Sequence, residues 1–339
     1  MKTTTRRKRG LLAAAVAVVC AGAAVPAAAQ EPGRAEPVST VFIGDFYTAN
    51  FGITPIHGTD DPNKLFCFRS EENYPAVTAR RLAEQGRALD IASDRSCGGA
   101  LIRHFWEKQP LQAGLAAPPQ KEALGEETRL VVGSVGGNTV GFVNILKQCS
   151  QQLRDQGEIL PGAPVDADEP ADRCGAFFTA GNGEDWLDWQ FAEAERELGD
   201  LLDDIGYLSP DATVVLVGYP RIVPANVAKC QTPAPGQAEK PLADIPTDAL
   251  MMFDKVQKRL NDLMRTQAEQ GGAEFVDLYA VTGGNTACDG NDRGIGGLFE
   301  NSQIEFFGGT LPWFLHPNTR GRDIQAHHVA TAIRNALSA

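Results

Sequence analysis

Short apolar runs alternate with longer amphipathic stretches along the chain. Residues 39–44, Ser-Thr-Val-Phe-Ile-Gly, read as a buried strand that ends in a glycine turn. Residues 89–92, 129–135, 213–218 and 273–278 read as further strands, the 213–218 run being strongly apolar. Between them apolar residues recur every three to four positions, the spacing that gives a helix one buried face. Tyr74-Pro75 opens such a helix over 76–84, with Gly86 as its stop. Residues 186–205 place Leu187, Phe191, Ala194, Leu198 and Leu201 on one face; 250–270 and 318–337 are predicted helices as well. Residues 157–183, 229–246 and the Gly-rich 281–310 follow neither period and read as surface loops.

Strands that alternate with helices imply right-handed crossovers and a mainly parallel central sheet covered on both faces. The predicted fold class is therefore α/β, a three-layer α/β/α sandwich. No internal repeat is present, and residues 39–339 read as a single domain with long decorating loops. Residues 30–38 form a Pro-rich leader.

The N-terminus changes the compartment. Lys2, Arg6, Arg7, Lys8 and Arg9 precede an apolar stretch from Leu11 to Val25, and Ala27-Ala28-Ala29 offers a small-residue cleavage site. Residues 1–29 are thus predicted to be a signal peptide, which leads to export and leaves no membrane span once removed. Its loss discards Cys20 and shifts the net charge from −12 to about −17. An acidic chain of this kind is not a general phosphate-backbone binder, so no nucleic-acid partner is expected. Six cysteines remain: Cys67, Cys97, Cys149, Cys174, Cys230 and Cys288. Six allow about fifteen pairings, of which spacing favours the sequential one, each bridge stapling a local excursion. Zinc is the weaker reading, because no CxxC pair occurs.

Ligands of open α/β sheets sit beyond the carboxyl ends of the strands. Segments with chemical potential fall there or at a late helix start: Gly44-Asp45-Phe46-Tyr47, Cys97-Gly98-Gly99-Ala100, Gly136-Gly137-Asn138 and His316-Pro317-Asn318. Their order and spacing resemble the SGNH/GDSL hydrolases, especially exported actinobacterial esterases and lipases with three disulfides. The resemblance extends over almost the whole chain after the signal. It implies a flavodoxin-like sheet and carboxylic-ester hydrolysis without a cofactor. It also implies an acyl ester, lipid or cell-envelope ligand and a monomeric protein. It assigns Gly99 and Asn138 to an oxyanion hole, whose donors stabilise charge on the substrate carbonyl oxygen. His316 takes the place of the general base, with Pro317-Asn318 and Gly321 completing that block.

Two positions depart from the pattern. Where many members carry an Asp three residues before the His, this chain has Trp313; the resemblance implies that its backbone carbonyl orients His316 instead. The nucleophilic serine position holds Phe46, and a benzyl group has no oxygen with which to form an acyl-enzyme. The expectation is therefore lost serine catalysis, and a pseudoenzyme is the alternative outcome. Thr48, Ser96 and Ser134 are the nearest hydroxyls, none at the position the turn would aim at His316. Asp289, Asn291, Gly294 and Glu300 occupy positions 1, 3, 6 and 12 of a calcium-loop pattern. Arg293 at position 5 puts a cation where a ligand is required, and no metal site is expected.

Overall fold

The computed structural model describes residues 36–58, 62–156, 162–306 and 308–338. The predicted signal peptide and most of the leader lie outside the described residues. β1 (Val38–Gly44) buries Val41 and Ile43 on one face and Phe42 on the other. A strand covered on both sides has no solvent face, which is why its apolar run is continuous rather than alternating. β2 (Leu89–Asp94), β3 (Leu130–Ser134), β4 (Thr213–Val217) and β5 (Glu274–Val276) complete a five-stranded sheet in the order β2-β1-β3-β4-β5. Every pairing within it is parallel. This is the flavodoxin-like order that the family resemblance implies.

Side chains from alternate strand positions build two cores. Val41, Ile43, Val131 and Leu216 pack with α3 (Phe142–Cys149), α4 (Asn182–Leu208) and α5 (Thr247–Gln270). On the opposite face Phe42, Leu130, Val132, Val215 and Val217 meet Tyr74, Val77 and Leu82 of α2 (Tyr74–Glu84). Ala326, Val329, Ala330 and Ile333 of α6 (Thr319–Ala336) close that layer. Two Asn caps start the helices of this second layer. Asn73 Oδ1 accepts from the Ala76 N–H at 3.1 Å, and Asn318 Oδ1 from the Gly321 N–H at 3.1 Å.

The expected elements differ from the observed ones mainly at loops. Residues 281–310 are not all loop: β6 (Asn301–Phe306) pairs antiparallel with β7 (Gly309–Pro312). In β6, Ser302 and Ile304 turn inward while Asn301, Gln303 and Glu305 face solvent. The inner face continues to Phe306, which packs on Phe66 and Phe68, but it opens on a serine and spans only three positions, too short a period-two signal to read amid glycines. The 157–183 region carries short helical turns at Ala171–Arg173 and Cys174–Phe177, and α4 runs past both predicted ends. Residues 157–161 lie outside the described set.

The cysteines pair sequentially: Cys67–Cys97, Cys149–Cys174 and Cys230–Cys288. Each bridge removes entropy from the unfolded chain, typically about 2–4 kcal/mol. The first also anchors the site described next, since the Gly98 N–H donates to the Cys67 carbonyl at 2.9 Å.

Candidate functional site

The strand order reverses between β1 and β3, so the chain departs to opposite sides and leaves a crevice at their carboxyl ends. β1 stops at Gly44, whose φ is 138°. A Cβ there would lie 2.3 Å from Thr48 Oγ1 and 2.6 Å from the Ser134 carbonyl oxygen, so only glycine fits. Asp45 then caps the single helical turn α1 (Phe46–Ala49), its Oδ1 accepting from the Tyr47 N–H at 2.9 Å. This turn presents the Phe46 side chain to the crevice.

The Phe46 ring stands edge-on to the His316 imidazole, with centroids 5.0 Å apart, and 5.1 Å from the Phe51 ring. Its other side lies against bare backbone. A Cβ built on Gly98 would fall 2.1 Å from Phe46 Cε1, and one on Gly99 3.9 Å from Cε2. Phe46 thus covers the Gly98-Gly99 turn and separates it from His316. Gly98→Ala is expected to cost about 1–3 kcal/mol through overpacking, and much less once Phe46 is made small. Denaturant unfolding of the two single variants and the double variant measures this coupling. Equal penalties in both backgrounds would mean that the ring does not hold this place.

His316 follows two residues in left-handed backbone, Phe314 (φ 47°) and Leu315 (φ 63°). Such geometry persists in bulky residues only when surroundings impose it. Here Tyr47 donates its hydroxyl to the Leu315 carbonyl at 2.9 Å. The Trp313 indole also sits against Gly52 and Gly296, where added Cβ atoms would come within 2.3 and 2.2 Å of the ring. Nδ1 of His316 lies 2.8 Å from the Trp313 carbonyl oxygen. A carbonyl only accepts, so Nδ1 carries the proton and the Nε2 lone pair is left available. Phe46, Tyr47 and Phe51 surround the imidazole. Burial among these rings drives its pKa down from 6.5 to about 4, only partly offset by the Trp313 carbonyl, which keeps it neutral at pH 7.

Asn138 follows Gly136-Gly137 beyond β3 and donates one amide N–H to the Ala100 carbonyl at 3.0 Å. Its loop is fixed by a buried relay. The Gly137 N–H donates to the Tyr219 hydroxyl at 2.8 Å, and that hydroxyl donates to Asp45 Oδ2 at 2.6 Å. Full burial pushes the Asp45 carboxyl up to about 7 despite these hydrogen bonds. Phe46, Asn138 and His316 line one cavity of about 50 Å³, with Phe142 and Phe253 among its apolar walls.

Residues 42–324 match the GDSL-like Lipase/Acylhydrolase family. The chain belongs to that family. It is 57% identical to an esterase of Streptomyces scabiei, over 100% of this chain and 99% of the relative. Identity to Lipase 2 of Streptomyces coelicolor is 31%, with 96% and 97% of the two chains covered. The crystal structure of phospholipase A1 from Streptomyces albidoflavus NA297 superposes with a TM-score of 0.58 at 19% identity, covering 87% of this chain and 98% of that one. This last likeness concerns the fold.

Within this GDSL-family fold the sequence-predicted positions converge, with Gly99 screened behind the Phe46 ring. The neighbouring hydroxyls do not converge. Thr48 Oγ1 is buried, accepts from the Ser134 N–H at 3.1 Å and meets the Tyr74 hydroxyl at 3.3 Å. Ser96 donates to Asp94 at 2.6 Å. Ser134 Oγ is buried with no hydrogen-bond partner among the described residues. His104 has a structural role, accepting the Leu101 N–H through Nδ1 at 3.0 Å. Sequence reasoning placed Asp45 and Tyr47 in the turn but gave neither of them, nor Tyr219, a role in the site. The Gly218-Tyr219-Pro220 segment was the available signal for Tyr219; for Tyr47 nothing but its place in the turn pointed inward.

Proposed function

We propose that this protein is an exported member of the GDSL family in which serine-based ester hydrolysis has been lost. The observation that carries the reading is Phe46, which fills the nucleophile position and stands 5.0 Å from His316 between it and the Gly98-Gly99 turn. In a competent site the hydroxyl at residue 46 would lose its proton to His316 Nε2 while attacking the ester carbonyl. Gly99 and Asn138 would receive the developing oxyanion. Here the base, its orienting Trp313 carbonyl and the Asn138 amide remain, and the attacking oxygen is gone. Export is supported by the three disulfides, which persist in oxidising compartments, and by the basic-then-apolar N-terminus ahead of a single domain.

Short-chain nitrophenyl esters test the proposal. Wild type is expected to show no turnover above the uncatalysed rate. Robust turnover that disappears in His316→Ala would overturn the reading. A second reading, a non-catalytic protein that binds an acylated ligand or envelope partner in the same cleft, is favoured by the apolar walls from Phe142 and Phe253. Saturable binding of a short-chain acyl ester without turnover would single it out.

A further inference from the structure

The failed calcium-loop pattern has a different use. Glu300 and Arg293, its positions 12 and 5, form an ion pair with Oε1 and Nη2 2.5 Å apart, and each side chain is only 15% exposed. The same carboxylate accepts the Gly297 N–H through Oε2 at 2.8 Å, and Gln237 donates to Oε1 at 3.3 Å. Arg293 also donates to the Gly290 carbonyl at 3.1 Å. The pair therefore cinches residues 290–300 into a closed bow.

That bow holds the His316 loop by its backbone. The Glu300 carbonyl accepts from the Trp313 N–H at 2.7 Å, and Trp313 in turn supplies the carbonyl that holds His316 Nδ1. The Gly296 N–H donates to the His316 carbonyl at 3.0 Å. Asn318 is gripped twice, its N–H by the Gly294 carbonyl at 2.9 Å and its Nδ2 by the Arg293 carbonyl at 3.1 Å. Residues on both sides of the histidine thus hang from the segment that the ion pair closes.

We propose that Arg293 and Glu300 are positioning residues: the guanidinium serves as a built-in cation in place of a metal, and the pair sets the Trp313 carbonyl that fixes the tautomer and direction of His316. Among the described residues no carboxylate side chain hydrogen-bonds this histidine, so its aim depends on a peptide oxygen, and a peptide oxygen is only as well placed as its loop. The proposal rests on the reading of His316 as the inherited base.

The test uses the full chain with Arg293→Gln, Glu300→Gln and the conservative Arg293→Lys. Long-range proton–nitrogen NMR of His316 in an otherwise wild-type background should show the Nδ1-protonated tautomer giving way to a mixture in both Gln variants. In the Phe46→Ser background kcat should fall about 100-fold while KM stays within about twofold, with partial recovery in Arg293→Lys. Folded Gln variants with an unchanged His316 tautomer would overturn the proposal. If the Gln variants fail to fold, Glu300→Asp, which draws the carboxylate back from Arg293, decides instead: an unaltered tautomer and an unaltered kcat in that variant would sink the idea. Should folded Phe46→Ser prove inert, the cleft has diverged beyond residue 46, and the NMR result alone decides the positioning.

Discussion

Phe46→Ser is expected to create an esterase. Hydrolysis of short acyl esters should rise by about three orders of magnitude or more over wild type. Deleting a catalytic serine in a serine protease costs about six orders in kcat, and here the rest of the apparatus is in place. The substitution acts twice. It supplies an oxygen on the Cβ that α1 already directs towards His316, and it removes the ring that covers Gly98 and Gly99. The stability cost is about 2–4 kcal/mol, because a partly buried aromatic is lost. In the revived variant His316→Ala should return the rate to background, and Asn138→Ala should lower it by about 100-fold. A folded Phe46→Ser protein with no turnover would mean that the cleft has diverged beyond residue 46.

The acid–base behaviour of the site should separate into two opposing slopes. His316 titrates at about 4 in the folded protein against 6.5 as an ordinary histidine. Between those values only the unfolded chain takes up the proton, so this group's stability is intact above pH 6.5 and is lost as pH falls towards 4. Asp45 behaves in the opposite sense, with a folded value of about 7 against 3.8. Its contribution is full below pH 3.8 and is lost as pH rises towards 7. The effects are about 3 kcal/mol for His316 and about 4 kcal/mol for Asp45, and their opposite slopes largely cancel in wild type between pH 4 and 6.5. His316→Gln should therefore be most stable at the acid end of that window and Asp45→Asn at the neutral end. Urea unfolding from pH 4 to 7.5 reads both slopes; parallel slopes in the two variants would refute the assignment.

The large elements were legible because burial on both faces leaves an unmistakable mark. The apolar runs of β1, β3 and β4 and the single apolar face of α4 need no knowledge of their partners. The β6–β7 hairpin escaped because its inward side, Ser302, Ile304 and Phe306, opens on a polar residue and meets its aromatic partners Phe66 and Phe68 from far along the chain. Within the site, Gly99, Asn138 and His316 were found through the order of short motifs. Asp45, Tyr219, Arg293 and Glu300 were not, because their partners lie far away along the chain or in an unexpected role. Tyr219 reaches Asp45 across 174 positions, a separation no local pattern reports.

By itself the sequence determined that residue 46 carries no nucleophile and that the strands and helices alternate into a parallel sheet. It also determined that the acidic chain, with its cysteines, suits an oxidising compartment. These follow from side-chain chemistry and periodicity, which are local. Only the tertiary structure decided that Phe46 occupies the space between His316 and the Gly98-Gly99 turn, and that a peptide carbonyl rather than a carboxylate holds the imidazole. It likewise decided that Arg293 and Glu300 close the 290–300 loop by pairing with each other. Those outcomes depend on distances between segments brought together by the fold, and distance is the quantity that a one-dimensional pattern does not contain.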